Sequence, residues 1–175
     1  MIEMKRLLVI LTLLLCGLAA GAQELNCTFV QKKTLKAVDK VIPGEGTVSF
    51  KAPDHLVMTY TVPAGEYLII EGNELRTCVK GKELKVDTSK NPRMRKMRNT
   101  LLNCITGAYV KAAEENDATL IVEDKGGVTK VSIMARQAQP TGYSKIIIEY
   151  NKKGLPVRMV LDEFTGIETD YTFKY

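Results

Sequence analysis

The stretch PRMRKMRNTLLNCITG, residues 92–107, departs from the two-residue alternation that dominates the rest of the chain. Its apolar residues Met94, Met97, Leu101, Leu102, Cys104 and Ile105 recur at helical spacing and form one greasy stripe. Arg93, Lys96, Asn99, Thr100 and Asn103 fall on the other side. Ser89 or Asn91 can cap the start, Pro92 suits the first turn and Gly107 ends the helix. The basic residues Arg93 to Arg98 lie in the first half, where the helix dipole disfavours them. Residues 111–116 could add one further helical turn.

Outward from this helix, the sequence reads as strands punctuated by turns. Leu25, Cys27 and Phe29 share one side of the first strand, as do Val48 and Phe50 of the second. Pro43-Gly44-Glu45-Gly46 is expected to be a loop, and Ala52-Pro53-Asp54 and Pro63-Ala64-Gly65 to be turns. Leu56, Met58, Tyr60 and Val62 alternate with Val57, Thr59 and Thr61. Residues 67–70 and 75–79 flank Glu71-Gly72-Asn73-Glu74 as a hairpin, and a short strand follows Lys80-Gly81. Beyond the helix, residues 119–123, 128–135, 146–150 and 155–161 repeat the habit. A last strand aligns Ile167, Thr169, Tyr171, Phe173 and Tyr175. About ten strands joined by tight loops describe an antiparallel meander.

The fold class expected is mainly β (α+β). A sheet this wide is far broader than one helix, and its apolar face must be covered. The sheet should therefore curl into a half-open β-barrel covered by one or two helices. Incomplete cover leaves a groove, and the methionines at 58, 94, 97, 134 and 159 make its lining adaptable. The plain alternative is that the same stripe is ordinary core.

The chain begins with Lys5 and Arg6, an apolar run from Leu7, and small residues up to Ala22. This is the pattern of a secretory signal peptide over residues 1–22, leaving one domain over 23–175. The 14 residues from Leu7 to Ala20 fall short of the ~20 a membrane span needs. Leu15 before Cys16 is wrong for lipid attachment at that cysteine. Export demotes ATP, NAD and nucleic acid as partners. The remaining chain carries 23 basic and 19 acidic residues, with much of the excess in the run from Lys90 to Arg98. Outside the cytoplasm, such a run is a solvated face or meets anionic lipid head groups or acidic partners.

Cys27, Cys78 and Cys104 allow at most one disulfide and contain no CxxC. His55 is the single histidine, so neither a zinc site nor a Ser-His-Asp set is expected. Asp162 and Glu163 are adjacent on a strand and face opposite ways, which is unsuited to paired acid–base work. No enzyme activity, metal or cofactor is expected.

Several segments carry a family resemblance: Phe29-Val30-Gln31; Gly46 to Leu56, read as G-x-hydrophobic-x-F-x-x-P-x-x-hydrophobic; Tyr60-Thr61-Val62-Pro63; and Leu68 to Leu75. In this order and spacing they resemble the first half of the LolA family of periplasmic lipoprotein carriers. Gly154 to Met159, Gly166 to Thr169 and Tyr171 to Phe173 look like that family's last strands. Where the familiar carriers place an arginine before the F-x-x-P proline, this chain has Ala52 beside Lys51. The resemblance implies a monomeric periplasmic carrier whose cavity takes lipoprotein acyl chains or another lipid. An inner-membrane ABC transporter would load it, and an outer-membrane acceptor would unload it. The alternative on the same half-barrel is an envelope-stress sensor or protein-interaction module. Alternation and the helix stripe nominate as groove residues Phe29, Phe50, Met58, Tyr60, Leu68, Ile70, Met94, Met97, Leu101, Ile105, Ile133, Ile148, Met159 and Leu161.

Overall fold

In the computed structural model, which describes residues 24–175, every second residue of the strands turns toward one concave face. The residues 1–22, read as an export signal, lie outside the described residues. Six strands come first: β1 (Glu24–Leu35), β2 (Lys40–Lys51), β3 (His55–Val62), β4 (Tyr67–Glu71), β5 (Glu74–Val79) and β6 (Lys82–Asp87). Two helices follow, α1 (Pro92–Ile105) and α2 (Tyr109–Glu115). The chain closes with β7 (Ala118–Lys125), β8 (Val128–Ala135), β9 (Tyr143–Tyr150), β10 (Pro156–Glu163) and β11 (Ile167–Lys174). The eleven strands form one open antiparallel sheet ordered β6-β5-β4-β3-β2-β1-β11-β10-β9-β8-β7.

This order explains the roof. The first and last strands pair at the centre, from Thr28↔Lys174 to Leu35↔Ile167, and each half meanders outward to an edge. The helices connect β6 on one edge to β7 on the other. Laid flat, eleven strands would hold those edges about 48 Å apart. Helix α1 covers only about 21 Å of that and α2 about 10 Å, and the two pack on each other instead of running end to end. The sheet therefore curls, and the helices cross its concave side. That side carries Leu25 and Phe29 of β1, Val48 and Phe50 of β2, Leu56 and Met58 of β3, Val131 and Ile133 of β8, and Ile146 and Ile148 of β9, all buried.

Two local expectations are corrected. Residues 43–46 are not a loop: β2 runs through them, pairing Lys32↔Pro43, Gln31↔Gly44, Val30↔Glu45 and Phe29↔Gly46. Gly46 is there for close approach, since a Cβ would collide with the Thr59 carbonyl oxygen and the Phe29 ring. Pro43 lies beyond the last β3 pair, Glu45↔Val62, where the strand has a free side and a missing N–H is tolerated. Thr100, read as part of the polar side of α1, is fully buried. Its Oγ1 accepts a 2.8 Å hydrogen bond from Asn116 Nδ2 just after α2, so the second helix covers what would be a solvent face. Of the two cap candidates, Asn91 serves: its Oδ1 accepts from the Met94 N–H at 3.1 Å.

Candidate functional site

Helix α1 presents Met97, Leu101 and Ile105 to the concave face. Between them lies a cavity of about 170 Å³, lined across the gap by Leu25, Met58, Leu68, Met159 and Leu161 among others. Dry cavities of ~150 Å³ lined by aliphatic and aromatic groups admit a guest the size of benzene. The roof therefore stands nearly closed over a lining of thioethers, branched chains and aromatic rings that also includes Lys33, Glu163 and Thr169. A second, more open cavity of about 420 Å³ lies under the first half of α1. Pro92, Arg93, Met94, Lys96, Thr100 and Asn116 form one wall, and Gln139, Thr141 and Gly142 of the β8–β9 loop form the other. The two cavities share Met97, Tyr143 and Glu163.

Of the fourteen residues nominated above, Met58, Leu68, Met97, Leu101, Ile105, Met159 and Leu161 line the inner cavity, and Met94 with Met97 lines the outer one. Phe29, Phe50, Ile70, Ile133 and Ile148 are buried in the core without lining either cavity. Tyr60 packs against that core and donates to Gln31 Oε1 at 2.7 Å.

Sequence reasoning omitted Leu25, Val48, Leu56, Tyr143, Tyr171 and Phe173 from the groove, though all line the inner cavity. Alternation had already placed Leu25, Val48, Leu56, Tyr171 and Phe173 on inward faces, so the signal was available. Tyr143 had none. It is out of phase with the buried Ile146 and Ile148, and it turns inward because the β9–β10 register shifts beside it. Asp162 pairs with Lys145 and Glu163 with Tyr143, leaving Ser144 as the extra residue.

Beside the inner cavity stands an aromatic and hydrogen-bonded cluster. Phe29 meets Tyr60 edge-on at 5.0 Å and Tyr171 at 5.8 Å between centroids. The Tyr60 and Tyr171 hydroxyls stand 3.4 Å apart. Burial pushes the Tyr171 and Tyr143 phenols well above the ordinary range, so both stay neutral. Burial likewise raises the Cys104 thiol to about 12 and the Cys27 thiol to about 11, the latter tempered by a hydrogen bond with Tyr175. Such thiols are poor nucleophiles. All three cysteines of the described residues are free. Among the described residues no cluster of three His, Cys, Asp or Glu side chains could hold a metal ion.

The roof is fastened at its middle and near its C-terminal end. Arg98, 13 % exposed, donates from Nε to the Gly72 carbonyl at 2.6 Å and from Nη2 to Asp54 Oδ2 at 3.1 Å. Gly72 lies in the β4–β5 turn and Asp54 in the β2–β3 turn, so one guanidinium ties α1 to two hairpin ends. Near the C-terminal end the Tyr150 hydroxyl donates to the Cys104 carbonyl at 2.6 Å. Ala52 cannot make a polar contact to the helices. Asp54, two residues later, receives one from the helix side instead.

The chain matches the family described as "Outer membrane lipoprotein carrier protein LolA" over residues 20–175. No curated protein sequence matches it. Among solved structures, it is similar to a LolA-superfamily protein from Nitrosomonas europaea at 8% identity and a TM-score of 0.41, covering 89% of this chain and 86% of that one. A DUF1329-family protein from Desulfovibrio piger aligns at 8% identity and a TM-score of 0.40 over 92% and 88% of the respective chains. The lipoprotein LppX of Mycobacterium tuberculosis aligns at 15% identity and a TM-score of 0.36 over 88% and 86%.

Proposed function

Starting from the fact that this chain belongs to the LolA family, we propose that it carries lipid guests between α1 and the concave sheet. The guests are the acyl chains of lipoproteins, or another lipid, moved through the periplasm from an inner-membrane ABC transporter to an outer-membrane acceptor. The observation carrying this reading is the inner cavity, walled by Met97, Leu101 and Ile105 of the roof and by Met58 and Met159 of the sheet. Among the described residues, no helix is long and apolar enough to cross a membrane.

Magnitudes favour a roof that lifts. The inner cavity is too small for a fatty chain, so loading displaces α1. Withdrawing about ten methylenes from water yields about 8 kcal/mol. Breaking the two Arg98 contacts to the hairpin ends costs about 1–3 kcal/mol, at about 0.5–1.5 kcal/mol per net hydrogen bond. The guest outweighs the latch, so loading can lift it.

The test is uptake of an apolar fluorescent probe, alongside native mass spectrometry of protein secreted from the full chain. Met97→Asp and Leu101→Asp should abolish capture while circular dichroism remains native. If folded Asp variants capture the probe at wild-type affinity, the groove reading fails. A second reading, a protein-interaction module, draws on edge strand β7, where Ile121 and Val122 are exposed beside backbone with no neighbouring strand. No lipid adducts and no probe uptake by the wild-type chain would favour it.

A further inference from the structure

The outer cavity is the more cationic of the two, with Arg93 and Lys96 beside Glu163 where the inner one has Lys33 beside Glu163. Neither Arg93 nor Lys96 has a carboxylate within 4.0 Å among the described residues. Lys90 and Arg98, at the ends of the same basic run, each have a carboxylate partner (Asp87 and Asp54). Between Lys90 and Glu114 the sequence contains no acidic residue at all. These cations also sit in the first half of α1, where the helix dipole opposes positive charge. An anion held there would relieve both conditions.

The buried wall supplies a second polar feature. Asn116, 6 % exposed, lines this cavity, and its amide N–H groups are both committed, to Thr100 Oγ1 at 2.8 Å and the Ala112 carbonyl at 2.7 Å. Its Oδ1 accepts from no side chain or backbone group among the described residues and is free to take a hydroxyl. Glu163, whose Oε2 accepts from Thr165, stands at the boundary with the inner cavity. Its charge opposes an anion in the inner cavity and offsets one of the two cations lining the outer one, which leaves that outer lining net positive.

We propose that the outer cavity is a headgroup site, and that the carrier selects amphiphiles whose head bears an anionic phosphate or carboxylate beside a hydroxyl. This inference rests on the carrier reading above. The anion meets Arg93 and Lys96, the hydroxyl meets Asn116, and the hydrocarbon passes between Met97 and Tyr143 into the groove. The same walls that separate the two cavities then form the neck through which head and tail join.

The experiment displaces a bound neutral apolar dye with lysophosphatidylglycerol or lysophosphatidylcholine of equal chain length, both below their micelle concentrations. Wild type should bind the anionic lysolipid about tenfold more tightly, the worth of one charge-assisted contact. The double variant Arg93→Glu/Lys96→Glu should lose that preference while binding the dye unchanged. Arg93 is exposed and Lys96 is not in an ion pair, so this variant is expected to fold. Equal affinity for the two lysolipids, or a preference that survives in the double variant, overturns the headgroup site and leaves the carrier reading standing. Failure of wild type to bind the dye and both lysolipids overturns the carrier reading, and the headgroup site with it. Glycerol phosphate should not displace the dye at matched concentration. Displacement by it as strong as by the lysolipid would mark a site for free phosphate and overturn selection of a lipid.

Discussion

The two halves of α1 are made differently. From Pro92 to Asn99 no residue is fully buried, and five basic residues crowd the approach and the first turns. From Thr100 to Ile105 every residue but Asn103 is buried. The first half stands over the open outer cavity and is held down chiefly by Arg98. The second half is wedged between α2 and the concave sheet. One helix thus joins a loosely packed first half to a deeply packed second half, and the change-over falls at Met97 to Leu101, where the inner cavity begins.

The largest expected effect sits in the second half. Leu102→Ala should cost about 2–5 kcal/mol in urea denaturation, the range for emptying a buried leucine site. Met94→Ala, in the exposed half, should cost under about 1 kcal/mol. Equal losses would erase the contrast. Next comes the latch. Arg98→Ala should lower stability by roughly 1–3 kcal/mol and, in stopped-flow mixing, speed apolar dye uptake. A destabilised variant with unchanged uptake rate would make Arg98 a brace with no part in gating. Tyr150→Phe probes the second half by a single hydrogen bond. A loss of about 1 kcal/mol is expected with no change in uptake rate, which would sharpen the division between the halves.

The last comparison appears only at alkaline pH. Burial holds the Cys104 thiol near 12 and the Cys27 thiol near 11, above the ordinary 9.0. Above pH 9 the unfolded chain therefore releases these protons while the folded chain keeps them. The unfolded state binds fewer protons, so stability falls as pH rises from 9 towards 12. Cys104→Ala should flatten that slope in denaturation curves taken at successive pH values, and a slope unchanged by the substitution would assign it to other groups.

Much of this was legible in the linear chain. The alternation in β3, the hairpin at Gly72 and the cap-to-Gly107 span of α1 are local matters of side-chain period and backbone sterics, and the structure carries them as read. The lining of the inner cavity was legible in part. The α1 stripe and the inward strand faces pointed to it, but alternation cannot tell which inward residue meets a void and which meets another side chain. Phe50 and Met58 face the same way, yet only Met58 borders the inner cavity.

What the sequence by itself determined, then, is periodicity: which segments extend, which one coils and which side of each is oily. These follow from interactions within a few residues. Only the tertiary structure decided that β1 and β11 pair, that residues 43–46 continue a strand, that Thr100 is covered by α2 and that a register shift turns Tyr143 inward. Each depends on contact between parts of the chain distant in sequence, where the shape of the partner surface selects among local conformations of similar energy.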